Sequence, residues 1–135
     1  MKSNLTRNFS AKEVSCKCGK CSGLPTGDAF ITFVHALDNL QAIREIYGKP
    51  MILSSGYRCP EHNKSVSSTG LTGPHTIGAF DTLVHGKDAV RLIRAAMESK
   101  NPPTGIGVSQ KGPYETRFIH FDWLETAGRP WIWSY

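Results

Sequence analysis

Two stretches free of glycine and proline, Asp28 to Tyr47 and Lys87 to Lys100, carry apolar residues at helical spacing, while thirteen glycines and eight prolines cut much of the remaining chain into short pieces. In the first stretch Phe30, Val34, Leu37, Ile43 and Ile46 recur along one helix face, and Gly48 and Pro50 close it. In the second, Val90, Ile93 and Met97 are expected on the buried face, and Asn101-Pro102-Pro103 ends the helix. Two long helices therefore have to bury their apolar faces against something built from short segments.

Those segments read mostly as strands. Met51-Ile52-Leu53, Ala79 to Val84, Thr104 to Ser109, Thr116 to Trp123 and Trp131 to Trp133 are short apolar or alternating runs bounded by turn residues. Pro60 suits the first turn of a short helix to Val66, and the Ser-, Thr- and Gly-rich stretch from Ser67 to Pro74 reads as a loop. Ser10 and Glu13 stand in capping-box spacing, which predicts one more short helix near the N-terminus. The predicted fold class is α+β, with a small, mainly antiparallel sheet and helices packed on one side. At 135 residues with 39% hydrophobic content, a single domain over 1–135 is expected, with 1–25 a cysteine-containing extension packed on it.

No run approaches the roughly 18 apolar residues of a membrane span, and the first eight residues lack an apolar signal core. A cytoplasmic origin and no membrane partner are the corresponding expectations. The formal charge of +5 favours anionic surfaces, but Lys and Arg are scattered rather than blocked as in a nucleic-acid arm. No nucleic-acid partner is expected, and a monomer is.

Cys16, Cys18 and Cys21 form a C-x-C-x-x-C run, and Cys59 is the one further cysteine. In a reducing compartment such a set reads as a structural zinc site with Cys59 as the fourth ligand, as free thiols, or as a disulfide between Cys59 and an N-terminal cysteine.

Catalytic zinc takes three protein ligands and keeps one position open. Of the five histidines, His35 and His62 fall in predicted helices and His85 ends a strand beside Gly86, which suits packing or surface roles. His75 is followed closely by Asp81 on the next strand, so the pair can converge on one ion. His120 and Asp122 alternate along a strand and point to one face, presenting an imidazole and a carboxylate side by side.

Three segments carry a resemblance. Ser55-Gly56-Tyr57-Arg58-Cys59-Pro60-Glu61-His62-Asn63, then Pro74-His75-Thr76-Ile77-Gly78-Ala79-Phe80-Asp81, then Phe118-Ile119-His120-Phe121-Asp122 resemble, in order, the signatures of the zinc D-Ala-D-Ala carboxypeptidase and L-alanyl-D-glutamate endopeptidase family. Arg129-Pro130-Trp131-Ile132-Trp133-Ser134-Tyr135 and the cysteine-rich start are similar to its phage-borne members. The resemblance implies a Hedgehog/DD-peptidase-like zinc peptidase fold, Zn(2+) on His75, Asp81 and His120, and Arg58 gripping a substrate carboxylate, a task suited to a planar guanidinium. Tyr57 and Asn63 are the further substrate-binding candidates, although helix packing suits Asn63 equally well.

The chain departs from the family pattern twice. The His75 to Asp81 interval is one residue shorter than the usual His-x-x-Gly-x-Ala-x-Asp. Either the strand slips and turns Asp81 away, or Gly78 absorbs the gap through a conformation closed to other residues. Arg117 stands where many relatives carry the acidic general base. Asp122 is then the expected catalytic base, with orientation of His120 its alternative role, and Glu115 is a weaker candidate.

The function these readings point to is hydrolysis of peptide bonds in peptidoglycan stem peptides, as DD-carboxypeptidase or endopeptidase, in lysis by a phage or prophage. The rivals are a non-catalytic zinc module of the same fold and a cysteine-zinc domain that binds nucleic acid.

Overall fold

The computed structural model describes residues 3–126 and 128–135; Met1, Lys2 and Ala127 lie outside it. Its elements are helices α1 (Ala11–Val14), α2 (Gly27–Tyr47), α3 (Pro60–Val66) and α4 (Lys87–Glu98), and strands β1 (Ile52–Ser55), β2 (Ala79–Leu83), β3 (Gly105–Ser109), β4 (Phe118–Asp122) and β5 (Trp131–Ser134). Three short 3-10 turns, Gly70–Thr72, Pro74–Thr76 and Tyr114–Thr116, fall between them. The architecture is the predicted α+β one, with a five-stranded sheet in the order β1-β2-β4-β3-β5. All pairings are antiparallel except β3 with β5.

Local chemistry explains most element ends. The Ser10 side chain accepts from the Glu13 N–H while Glu13 accepts from the Ser10 N–H, so α1 carries a complete capping box. Gly48, at φ 75°, takes the left-handed position that ends α2 and returns its N–H to the Arg44 carbonyl. Pro60 occupies the first turn of α3, where its missing N–H costs nothing.

The core lies between the helices and one face of the sheet. Phe33, Leu37, Leu40 and Ile43 of α2 meet Phe80 of β2, Ile106 of β3 and Ile119 and Phe121 of β4, all nearly or fully buried. Two sequence expectations about helix faces are corrected. In α4 the buried residues are Ala89, Leu92, Ala95 and Ala96, whereas Val90 and Met97 are exposed and Ile93 is only partly buried. Small alanines let α4 approach α2 closely, and a stripe of larger residues beside them cannot. In α2, Ile46 is exposed and Phe33, Ala36 and Leu40 take the central positions.

The N-terminal segment is tied to this core. Phe9 and Val14 join the buried cluster, and the half-buried network of Thr6, Asn8 and Gln41 fixes the segment to α2 through bonds of 2.8 Å. No helix among the described residues is long and apolar enough to cross a membrane.

Candidate metal centre and cleft

Alternation along the strands puts the polar residues on the sheet face opposite the core. A single cross-strand row runs Ser55, Asp81, His120, Gly107, Trp133 through all five strands. The adjacent row places Ala79, Asp122, Gly105 and Trp131 side by side. Glycine is required at two of these positions. A Cβ on Gly107 would lie 2.8 Å from the Trp133 ring, and one on Gly105 would collide with the Asp122 carboxylate.

The short His75 to Asp81 interval leaves the register intact. Asp81 pairs with His120 and faces it, as the resemblance requires. The compensation differs from the one expected, because Gly78 is not among the glycines with positive φ. The chain between His75 and Asp81 runs through the tight turn Pro74–Thr76, with the N–H groups of Ile77 and Gly78 both bonded to the Pro74 carbonyl at 3.0 Å. Gly78 is needed for another reason: a Cβ there would stand 2.9 Å from the Ala36 side chain of α2.

His75, Asp81 and His120 are buried, and each offers one ligand atom within 4.8 Å of the others. Their partners fix which atoms those are. His75 Nδ1–H donates to the Gly56 carbonyl at 2.8 Å, which leaves the Nε2 lone pair facing Asp81 Oδ2 at 3.3 Å. His120 Nε2 lies 2.8 Å from Asp122 Oδ2 and Nδ1 lies 3.0 Å from Asp81 Oδ1, so with the proton on Nε2 the Nδ1 lone pair faces Asp81. Two imidazole lone pairs and a carboxylate thus converge on one small volume. Such an arrangement needs either a cation between the groups or an extra proton on each ring, and the donor set of two imidazoles and one carboxylate suits zinc.

The electrostatics follow from this convergence. Burial works against the Asp81 charge, yet the His120 and His75 rings outweigh it and hold the carboxyl well below its ordinary range. Burial likewise opposes charge on His120, but Asp122 and Asp81 raise its affinity for a proton above that of a free imidazole. Asp122 is also lowered despite its burial, to about 2, by His120 and Arg129.

The surroundings of Asp122 weigh against its expected role as proton acceptor. Its carboxylate is completely buried, and it lies on the Nε2 side of His120, away from the ligand cluster. Both oxygens are occupied: Oδ2 accepts from His120 and from Arg129 Nη2 at 2.9 Å, and Oδ1 accepts from Arg129 Nε at 3.1 Å and the Leu124 N–H at 3.3 Å. This geometry places Asp122 to orient the His120 ring. Arg117, which has no acceptor to offer, donates to the Gly112 carbonyl and stacks over Tyr114.

Arg58, His75, Asp81 and His120 line one open cleft of about 690 Å³ with Trp133 and Tyr135. The Arg58 guanidinium is 3.8 Å from Asp81 Oδ2 and donates to Asn63 Oδ1 at 3.0 Å. Asn63 is 1% exposed and spends its amide on Thr69 and the Gly70 carbonyl, so it acts by holding Arg58. Tyr57, expected to bind substrate, has its ring buried in the core and edge-on to Phe33. His62 sits beside Cys16, and His85 stacks on Tyr114 away from the cleft.

Three contributors escaped the sequence reading. Gly56 supplies the carbonyl that orders His75, Arg129 clamps Asp122, and Trp133 packs its ring 5.1 Å from that of His120. Alternation of Trp131, Trp133 and Tyr135 after Arg129 was the available signal for an aromatic strand on the site face.

Comparison with known proteins places a match to the family described as Peptidase M15 over residues 7–122. No curated protein and no solved structure matches the chain. The matched stretch contains the histidines, Asp81 and Arg58, while Arg129 and β5 lie beyond it.

Proposed function

The chain belongs to the peptidase M15 family, and from that premise we propose that it is a zinc metallopeptidase hydrolysing peptide bonds in peptidoglycan stem peptides. The observation that carries this reading is the convergence of His75 Nε2, Asp81 and His120 Nδ1 with their outer nitrogens already committed. These three residues would hold the metal. Zinc bound there supplies Lewis acidity toward a scissile carbonyl and activates water.

The chain's own groups do the rest. Gly56 and Asp122 each accept the outer N–H of one imidazole, which selects the tautomer and the ring orientation that aim the inner nitrogen at the ligand position. Arg58, braced by Asn63, offers a fork of donors to a substrate carboxylate in the cleft. Trp133 shields the adjacent edge of His120 from water. Stem peptides are short and anionic, which suits a chain of net charge +5. Phage or prophage lysis is the setting we assign, resting on the order of the three motifs and the terminal segments.

One observation favours a second reading. Asp81 is the only carboxylate among the described residues lining the cleft, so a free proton acceptor of the usual kind is missing there. That suits a zinc module of the same fold that binds stem peptides without cutting them.

Incubation of the zinc-loaded protein with a panel of muropeptides, with and without a chelator, separates the two when products are weighed by mass spectrometry. Chelator-sensitive cleavage is expected. Zinc that is lost on His120→Ala, with affinity for muropeptides but no cleavage, supports the binding module, and a wild type holding no zinc beyond that of His120→Ala overturns both.

A further inference from the structure

On the far side of the Arg58 segment from the cleft, the four cysteines come together. Cys16, Cys18, Cys21 and Cys59 each present a sulfur within 4.8 Å of the others. Cys18 Sγ lies 3.6 Å from Cys21 Sγ and 3.8 Å from Cys59 Sγ. A tetrahedron with zinc–sulfur bonds of about 2.3 Å has an edge of about 3.8 Å. One sulfur equally close to two others marks a shared centre rather than a pair.

The backbone is shaped to hold thiolates. The N–H groups of Lys20, Gly23 and Cys59 each donate to a sulfur, Cys18, Cys21 and Cys16 respectively, at 3.3 Å. Gly19, at φ 72°, takes the positive φ that wraps the Cys18-Gly19-Lys20-Cys21 turn around its two sulfurs, and Gly23, at φ 93°, takes it just after the turn. His62 Nδ1, 3.2 Å from Cys16 Sγ, adds a further polar group against the cluster. A cation is what lets all four ionise together.

We propose that Cys16, Cys18, Cys21 and Cys59 bind a second, structural zinc ion that fastens the N-terminal segment to the cleft residues. Four protein ligands leave no open coordination position, as structural sites require. The mechanical connection is short. Tyr57 donates its N–H to the Val14 carbonyl at 2.8 Å, and Gly56 has to be glycine because a Cβ there would stand 2.7 Å from that same carbonyl oxygen. Residues 56–59 are thereby held between Val14 and Cys16 on one side and His75 on the other, where the Gly56 carbonyl orders the ring and the Arg58 N–H bonds the His75 carbonyl at 2.9 Å. Releasing Cys59 loosens the segment that carries Arg58.

The test is metal counting on protein purified under reducing conditions, with titration of the cysteines by an organomercurial while released zinc is followed with an indicator dye. The His120→Ala variant is used so that the answer does not depend on the cleft metal or on peptidase activity. One equivalent of zinc per chain, released as four thiols react, is the expected result. In the cobalt-substituted variant, intense sulfur-to-metal charge-transfer absorption identifies thiolate ligands. Should His120→Ala fail to fold, the titration is run on the wild-type chain, where mercurial must release one equivalent in excess of any that a cysteine-inert chelator removes. Zinc-free protein with four freely reactive thiols, or a disulfide found by mass in the freshly purified chain, overturns the proposal.

Discussion

Replacing Asp122 with Asn tests whether this residue orients His120 or takes a proton. The substitution keeps the shape and removes the charge at a completely buried position. Asn can still accept from His120 Nε2 with its carbonyl oxygen, but its amide then points at Arg129 Nε and the Leu124 N–H, two donors facing a donor. Breaking a buried ion pair costs about 3–5 kcal/mol, and the slight exposure of Arg129, at 11%, favours the lower end. At roughly 3–5 °C per kcal/mol for a chain of this size, melting should fall by about 10–15 °C. Loss of an outer-shell partner weakens metal binding by about 10–100-fold, or about 1.4–2.7 kcal/mol. The assay is zinc affinity by chelator competition together with muropeptide turnover across a zinc titration, below the melting temperature. An orienting role predicts weakened zinc binding and turnover that recovers to within about 10-fold of wild type at saturating zinc. Removing a general base instead costs about 10²–10⁴-fold whatever the zinc concentration. Unchanged zinc affinity with a loss of that size at saturation would refute the assignment.

Gly107→Ala should push the Trp133 ring off His120, costing about 1–3 kcal/mol by overpacking and shifting tryptophan emission; near-neutral stability would mean that the ring is not held against the strand. Acid should act through Asp122 in the metal-free chain. Its folded value of about 2 lies below the ordinary 3.8, so the stabilisation is fully present above pH 3.8 and is lost as pH falls toward 2. That amounts to roughly 2 kcal/mol. Urea unfolding of wild type and Asp122→Asn between pH 5 and pH 2 should show the stability gap shrinking with acid, and a gap independent of pH would contradict the linkage.

Much of the framework was legible in local sequence because it depends on local physics. The capping box at Ser10 and Glu13, the glycine stop at Gly48 and the proline start of α3 are short-range hydrogen-bond and steric rules, and all three appear as read. Strand alternation sufficed to put His120 and Asp122 on one face, and the three motifs pointed to His75, Asp81 and His120 as the residues that meet. Periodicity could not choose between neighbouring stripes of α4, because Val90 and Met97 fit helical spacing as well as Leu92 does; the close approach of α2 selected the alanine face. Nor could spacing along a strand say which side of an imidazole a carboxylate would occupy. That was decided by Arg129, which arrives after β4 to claim both Asp122 oxygens, and by Gly56, whose carbonyl reaches His75 from just beyond the end of β1. The residue types of the site were thus readable in order along the chain. Their roles depend on partners distant in sequence, and only the folded sheet and its loops bring those partners within hydrogen-bonding range.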